Sequence, residues 1–375
     1  MEPAWAGLVE RRRVAQALPP YQLASVADVT VCLERMLVAE GWQGRIGSVN
    51  RLGGGASKEQ FLFDWHHRAE AGGGEKSCRY VLRTDPKSPI IETDCRREFA
   101  ALTAMQGRVP VPEPVLLDHA GAYFNRPAMI TRFVSGVTKP SVSQDRVSGL
   151  GTRLGEPLRS RMKRQFMTYL VAIHAYDWRS LPLPGFDVPD SDPYQAARWS
   201  IGFWDAIWRL DKIEERPVVT IAWRWLEKKL PACSDLVFTH GDYRTGNYLF
   251  DENRAEITAI LDWELARIGD YHEDLAWILM RLFGVFEDKK FFAVDLYERE
   301  DFIVAYEEAS GRIVNRATLR FYEILAVLKT YIVVAASGLS VARRKHSHQD
   351  VMLTYMGATT PMFASELTRL LLEEL

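Results

Sequence analysis

Apolar residues in 27–41, "ADVTVCLERMLVAEG", recur at helical spacing and stop at Gly41, which predicts one amphipathic helix. The pattern then shortens. "IGSVNRL", "EQFLFDW" and "RYVLRTD" read as strands, and Gly53–Gly55 and Gly72–Gly74 separate them in the rhythm of an antiparallel meander. Residues 92–108, "ETDCRREFAALTAMQGR", predict a second helix with Phe99, Leu102 and Met105 on one face. "VPEPVLLDH" and "RPAMITRFVSG" complete a set of strands that ends at Ser135–Gly136.

Beyond 136 the periodicity changes. A Ser/Gly/Pro-rich stretch leads into helical patterns over 157–178, 192–212, 217–230, 271–285, 298–310, 317–342 and 361–374. Only "LVFTH", "YLFD" and "ITAILDW" look like strands there. The expectation is an α+β chain of two parts, a sheet-rich 1–135 and a mostly helical 136–375.

Composition narrows the class without naming it. The chain has 375 residues, 47% hydrophobic and 26% charged, as ordinary globular proteins do, and a net charge of −2 gives no basic field for nucleic acid. Four scattered cysteines with no C-x-x-C pair suit a reducing, cytoplasmic setting better than a zinc site or a disulfide framework. The arginines near the N-terminus precede no apolar run of the signal-peptide kind. "FYEILAVLKTYIVVAASGLSVA", 321–342, is the best membrane candidate, but Glu323, Lys329 and Ser337–Gly338 interrupt it, and a buried helix is the better reading, with no membrane partner. The aromatic set Trp199, Phe203, Trp204 and Trp208 has helical spacing and predicts core.

The chemistry concentrates in "HGDYRTGN", 240–247, between two strand-like segments, and in "ILDWE", 260–264. Asn247 lies five residues after Asp242, and Asp262 twenty after it. Two acids and an amide on loops at strand ends form a set of hard oxygen ligands for Mg²⁺, which keeps several waters and takes few protein ligands plus substrate phosphates. A polar hairpin loop with coincidental acids is the bland alternative, and the spacing is demanding enough to disfavour it.

These residues resemble the catalytic core of the protein-kinase-like superfamily, most closely its aminoglycoside phosphotransferase and choline kinase branch. The resemblance implies a two-lobed fold, with a small antiparallel-sheet N-lobe carrying one main helix and a larger helical C-lobe holding the catalytic loop and acceptor pocket. It implies an enzyme that uses ATP and Mg²⁺ on a small hydroxylated substrate. Asp242 would orient the acceptor hydroxyl, Arg244 would touch the transferred phosphoryl group, and Asn247 and Asp262 would hold the metal. His240 and Asp274, the latter in "GDYHEDLAW", would brace the loop.

The N-terminal third supplies the implied nucleotide contacts. Gly54, Gly55 and Ser57 of "RLGGGASKEQFLF" would approach the phosphates. Arg83 of "YVLR" stands where kinases place a lysine, with Glu98 as its helix partner; read alone, both would be surface charges. The backbone of Arg132, Phe133 and Val134 would meet the adenine. "HGDYRTGN", "ILDWE" and the arginine of "VLR" look most like the kinase-like domains attached to acyl-CoA dehydrogenases, which points to a hydroxyacyl or other catabolic acceptor ahead of an aminoglycoside. Two other readings stay open: a nucleotide-binding regulator without turnover, and a metal-dependent hydrolase built on His240, Asp242 and His272.

Overall fold

The computed structural model describes residues 1–53, 58–68, 74–86, 89–143, 150–180, 182–346, 353 and 356–374. The elements, in order, are α1 (Pro3–Ala15), α2 (Val26–Ala39), β1 (Arg45–Arg51), β2 (Glu59–Arg68), β3 (Glu75–Thr84), α3 (Cys95–Met105), β4 (Pro114–Asp118) and β5 (Ala128–Arg132). There follow α4 (Leu158–His174), α5 (Gln195–Asp211), α6 (Pro217–Lys228), β6 (Leu236–Thr239), β7 (Tyr248–Asp251), β8 (Glu256–Ile260), β9 (Arg267–Asp270) and α7 (His272–Ile278). The chain continues through β10 (Val285–Glu287), β11 (Lys290–Ala293), β12 (Tyr297–Glu298), α8 (Arg299–Ser310), α9 (Arg316–Ile332), α10 (Gly338–Arg343) and α11 (Thr360–Leu372).

The first five strands form one antiparallel sheet in the order β1-β2-β3-β5-β4. Alternation along β2 sends Phe61, Phe63 and Trp65 to one face, where they meet Val29, Leu33, Met36 and Leu37 of α2. The Ser25 side chain starts α2 by accepting from the Asp28 N–H, and Gly41, at φ +76°, follows its end. Ten consecutive residue pairs join β2 to β3, from Glu59 opposite Thr84 to Arg68 opposite Glu75. That register fixes the start of β2 beside the end of β3.

α3 belongs to both halves. Its Ala101, Leu102 and Met105 join the larger core, made mainly by α4, α5, α7, α9 and the short strands. Asp94 caps it, accepting from the Arg96 N–H. Arg97 is buried, donates from Nε to the Ala266 carbonyl at 2.6 Å, pairs with Glu2 at 2.7 Å, and has the Trp5 and Phe186 rings at 5.0 and 4.4 Å. Its partner helix α1 buries Trp5, Leu8, Arg12 and Ala15 against the larger core and carries Arg12 to Asp211 on α5 at 2.5 Å.

Two elements differ from the sequence expectation. The helix expected over 271–285 stops at Ile278, and β10, β11 and β12 form a small antiparallel sheet instead. Gly284 packs so closely on this hairpin that a Cβ there would lie 2.3 Å from Phe291 and 2.5 Å from the Phe292 carbonyl. The apolar run 317–342 is not one α-helix: Val333–Ser337 is π-helical between α9 and α10. The stretch Arg316–Arg343 is long and apolar enough to cross a membrane, and its most apolar window is 83% buried within the fold. Lys329 on α9 is satisfied by Glu273 at 3.0 Å. Of the four aromatics expected in the core by their spacing, Phe203, Trp204 and Trp208 lie there, whereas Trp199 is only half-buried.

Candidate active site

The 240–247 turn follows β6 and leads into β7. Gly241 adopts φ +82°, and a Cβ there would stand 2.4 Å from the Leu265 carbonyl, so the turn can approach the 262–265 segment only with glycine at this position. Asp274 on α7 holds the turn from beneath. It accepts from the N–H groups of His240 at 2.8 Å and Gly241 at 2.7 Å, and meets His174 Nε2 at 3.1 Å. Burial pushes the Asp274 carboxyl up, but the bonds from His174 and the turn outweigh it, and its pKa falls below the ordinary value. Burial lowers the His240 pKa, so the ring is neutral near pH 7, with Nε2 on the Leu261 carbonyl at 2.9 Å. His240 therefore braces the two loops against each other.

Asp242 is held by three donors. Oδ1 receives Arg244 Nε at 2.8 Å and the Trp277 indole N–H at 2.5 Å, and Oδ2 receives Asn247 Nδ2 at 2.6 Å. Because the Asn247 nitrogen is committed to Asp242, its Oδ1 is the atom left to bind a cation. The Leu261 N–H donates to the Asn247 carbonyl at 2.7 Å, so the β7–β8 hairpin sets Asp262 next to this turn. Asp262 has φ 58° and ψ 57°, a left-handed conformation that is rare for a residue with a side chain and common where a side chain must be aimed.

From the sheet side, Arg83 reaches both partners. Nη1 bonds Glu98 Oε1 and Nη2 lies 2.9 Å from Asp262 Oδ1. Glu98 is fully buried and shared: its Oε2 lies 2.5 Å from Lys58 Nζ, with Asp85 and Glu264 at 3.3 and 3.6 Å from the same nitrogen. Burial depresses the ammonium, but Asp85, Glu98 and Glu264 more than offset it, and Lys58 stays charged with a pKa above the ordinary lysine value. Burial, with Asp262 and Glu98 nearby, pushes Glu264 up to about 7, against the lowering effect of Lys58.

The expected site residues thus separate into groups. Asp242, Arg244 and Asn247 form one hydrogen-bonded set and Arg83, Glu98 and Asp262 a second; the Leu261 N–H on the Asn247 carbonyl and His240 Nε2 on the Leu261 carbonyl set the two side by side, and together they make up the candidate cluster. Gly54, Gly55 and Ser57 lie outside the described residues. In the segment expected to meet the adenine through its backbone, the N–H groups of Arg132 and Phe133 are engaged by the Glu113 carbonyl at 2.8 Å and the Arg79 carbonyl at 3.0 Å. The Arg132 side chain pairs with Glu113, leaving Val134 as the segment's available N–H donor among the three. His272 binds Asp270 through Nδ1 at 2.6 Å and accepts from the Asn315 N–H through Nε2 at 3.0 Å. Both its ring nitrogens are used, which removes it from any metal-hydrolase cluster. Lys58, Trp277 and His174 enter the site unannounced by any motif.

Among the described residues, no three His, Cys, Asp or Glu side chains group to cage a metal. Asn247 and Asp262 fit an ion that completes its shell with water and phosphate, as Mg²⁺ does, and a guanidinium cation already stands on Asp262. Cavities of about 620 and 460 Å³ lie elsewhere, between α4 and α8 and behind α3, and the cluster lines neither.

A sheet-plus-α3 half bearing Arg83 and Glu98, facing a helical half bearing Asp242, Asn247 and Asp262, is a kinase-like architecture. Solved structures share it. A protein provisionally named an aminoglycoside phosphotransferase, from Ralstonia eutropha JMP134, aligns over 89% of this chain and 95% of its own with a TM-score of 0.63 and 20% identity. A thermostable mutant of aminoglycoside phosphotransferase APH(4)-Ia, solved with ADP and hygromycin B, aligns over 90% and 97% with a TM-score of 0.56 and 16% identity. Residues 48–322 match the model of the phosphotransferase enzyme family, and the chain belongs to that family. Its curated relatives include acyl-CoA dehydrogenase family member 10 of Mus musculus, 27% identical over 201 residues, and member 11 of Gallus gallus, 30% identical over 203. Those alignments take in 52% and 53% of this chain but only 18% and 24% of the relatives.

Proposed function

We propose that this phosphotransferase uses Mg²⁺ and ATP to phosphorylate a hydroxyl of a small hydroxyacyl or related catabolic intermediate. The observation that carries the reading is the placement of the Asp242–Asn247 pair beside the segment that bears Asp262, through the Leu261 N–H on the Asn247 carbonyl, with Arg83 bridging Asp262 to Glu98. The relatives named for acyl-CoA dehydrogenases favour an acyl acceptor over an aminoglycoside.

Asn247 Oδ1 and Asp262 would hold the metal, which when bound neutralises and orients phosphate oxygens. Arg83, anchored through one nitrogen on Glu98, would offer the other to a phosphate oxygen. Asp242 would receive the acceptor hydroxyl as a hydrogen-bond donor and align it for in-line attack. Three donors fix its carboxylate, which suits a reaction whose loose transition state asks for positioning more than for a strong base. Arg244, tethered through Nε to Asp242 and lying 4.7 Å over the Phe283 ring, has its Nη2 protons for the moving phosphoryl group. Trp277 and Phe283 would shield the reacting oxygen from water.

The test is phosphoryl transfer from Mg·ATP to a panel of hydroxylated small molecules and hydroxyacyl-CoA thioesters, with Asp242→Ala alongside. Acceptor-dependent ADP release that collapses in Asp242→Ala is the expected result. ATP consumption untouched by that substitution, or nucleotide binding with no turnover on any acceptor, would refute the proposal and leave a nucleotide-binding regulator.

A further inference from the structure

Lys58 immediately precedes β2, and its side chain is 2% exposed. The β2–β3 register puts Glu59 opposite Thr84, so Lys58 falls beside Asp85, 3.3 Å from its Oδ1. The same ammonium lies 2.5 Å from Glu98 Oε2 and 3.6 Å from Glu264 Oε2. Three carboxylates from the end of β3, from α3 and from the turn after Asp262 therefore converge on one cation.

A buried ammonium needs compensating charge, and a lysine that only held the fold together would account for one such contact. Two features ask for more. Glu98 divides its oxygens between Lys58 and Arg83, so losing Lys58 would not leave Glu98 unpaired; it would free the Glu98–Arg83 pair to turn as a unit. Glu264 stands two residues beyond Asp262, so the contact that holds Lys58 also ties the sheet to the segment presenting the metal ligand.

We propose that Lys58 is a positioning residue of the nucleotide site. It locks Glu98 in the orientation that delivers Arg83 Nη2 to Asp262, and through Glu264 it couples the sheet to the Asp262 turn. The ligand class it serves is a nucleoside di- or triphosphate carrying a divalent cation. This inference rests on the phosphotransfer reading above.

Calorimetric titration of the full chain with Mg·ADP separates the two. Lys58→Met is expected to keep close to one site per chain and to bind about tenfold or more weakly. Lys58→Arg, which keeps the charge, should recover to within about threefold of wild type, and Glu264→Gln, which leaves the Lys58–Glu98 pair intact, should weaken binding several-fold. A merely structural lysine would give a reduced number of competent sites with the wild-type Kd and no rescue by arginine. Wild-type affinity in a folded Lys58→Met overturns the inference alone; should that variant not fold, an unchanged Kd in Glu264→Gln does so. A wild-type chain that takes up no Mg·ADP overturns the phosphotransfer reading, and this inference with it.

Discussion

Asp274→Ala isolates what holds the 240–247 turn, and its cost can be worked from the bonds it breaks. The two carboxylate oxygens accept from the His240 and Gly241 N–H groups and from His174, all in the interior, and the aspartate has no exposure. Alanine offers no acceptor, and bulk water does not reach the two backbone donors. Each buried donor left unmade costs about 1–3 kcal/mol, and bonds to a charged acceptor lie toward the upper end. Removing a carboxylate that burial disfavours returns part of this, though the depressed Asp274 pKa shows that its partners outweigh burial. The net loss is about 3–6 kcal/mol, a large share of the roughly 5–15 kcal/mol that holds a typical domain folded. Urea unfolding at pH 7, followed by tryptophan fluorescence, reads it directly. Asp274→Asn keeps one acceptor oxygen and should lose about half as much. An Asp274→Ala loss under about 1 kcal/mol with an unchanged m value would refute the reasoning, because those donors would then have other partners.

Glu92 gives a pH prediction: burial pushes its carboxyl from 4.5 up to about 7, with Arg12 only 3.9 Å away. The folded pKa exceeds the unfolded one, so the folded state keeps a proton that the unfolded state has released, and stability falls as pH rises from about 4.5 through 7, by up to about 3 kcal/mol. Glu92→Gln should remove that decline from the Tm–pH profile, and a variant whose profile stays parallel to wild type would contradict the assignment. Trp277→Phe keeps the ring and deletes the N–H on Asp242; a lost bond to a charged acceptor of about 1.5–3 kcal/mol corresponds to a kcat reduced roughly 10- to 150-fold. The KM for ATP should stay near wild type, and an unchanged kcat would remove Trp277 from the reaction.

The 240–247 turn was legible because its chemistry is local. Asp242, Asn247 and Asp262 sit on one hairpin and its flanking loops, so their spacing along the chain reflects their spacing in space. Arg83 and Glu98 were legible only through their order relative to that turn. Lys58 was not, since its partners lie 27, 40 and 206 positions away and meet it only through the β2–β3 register and the docking of α3. The 271–285 helix failed for the opposite reason. "LAWILMRLFGVF" is apolar at helical spacing, and nothing short of the packing of Gly284 against Phe291 shows where the helix must end. α1 hides behind three consecutive arginines, although Trp5, Leu8, Arg12 and Ala15 share one face.

The arginine next to Glu98 sets how the molecule can be governed. Swinging α3 outward would strip Arg97 of Glu2, of the Ala266 carbonyl and of the two rings that flank it, all at once. A helix bolted in this way is a poor lever for an on–off signal. Any displacement of α3 has to carry the N-terminal segment at Glu2 and Trp5 and the loop at Ala266 along with it.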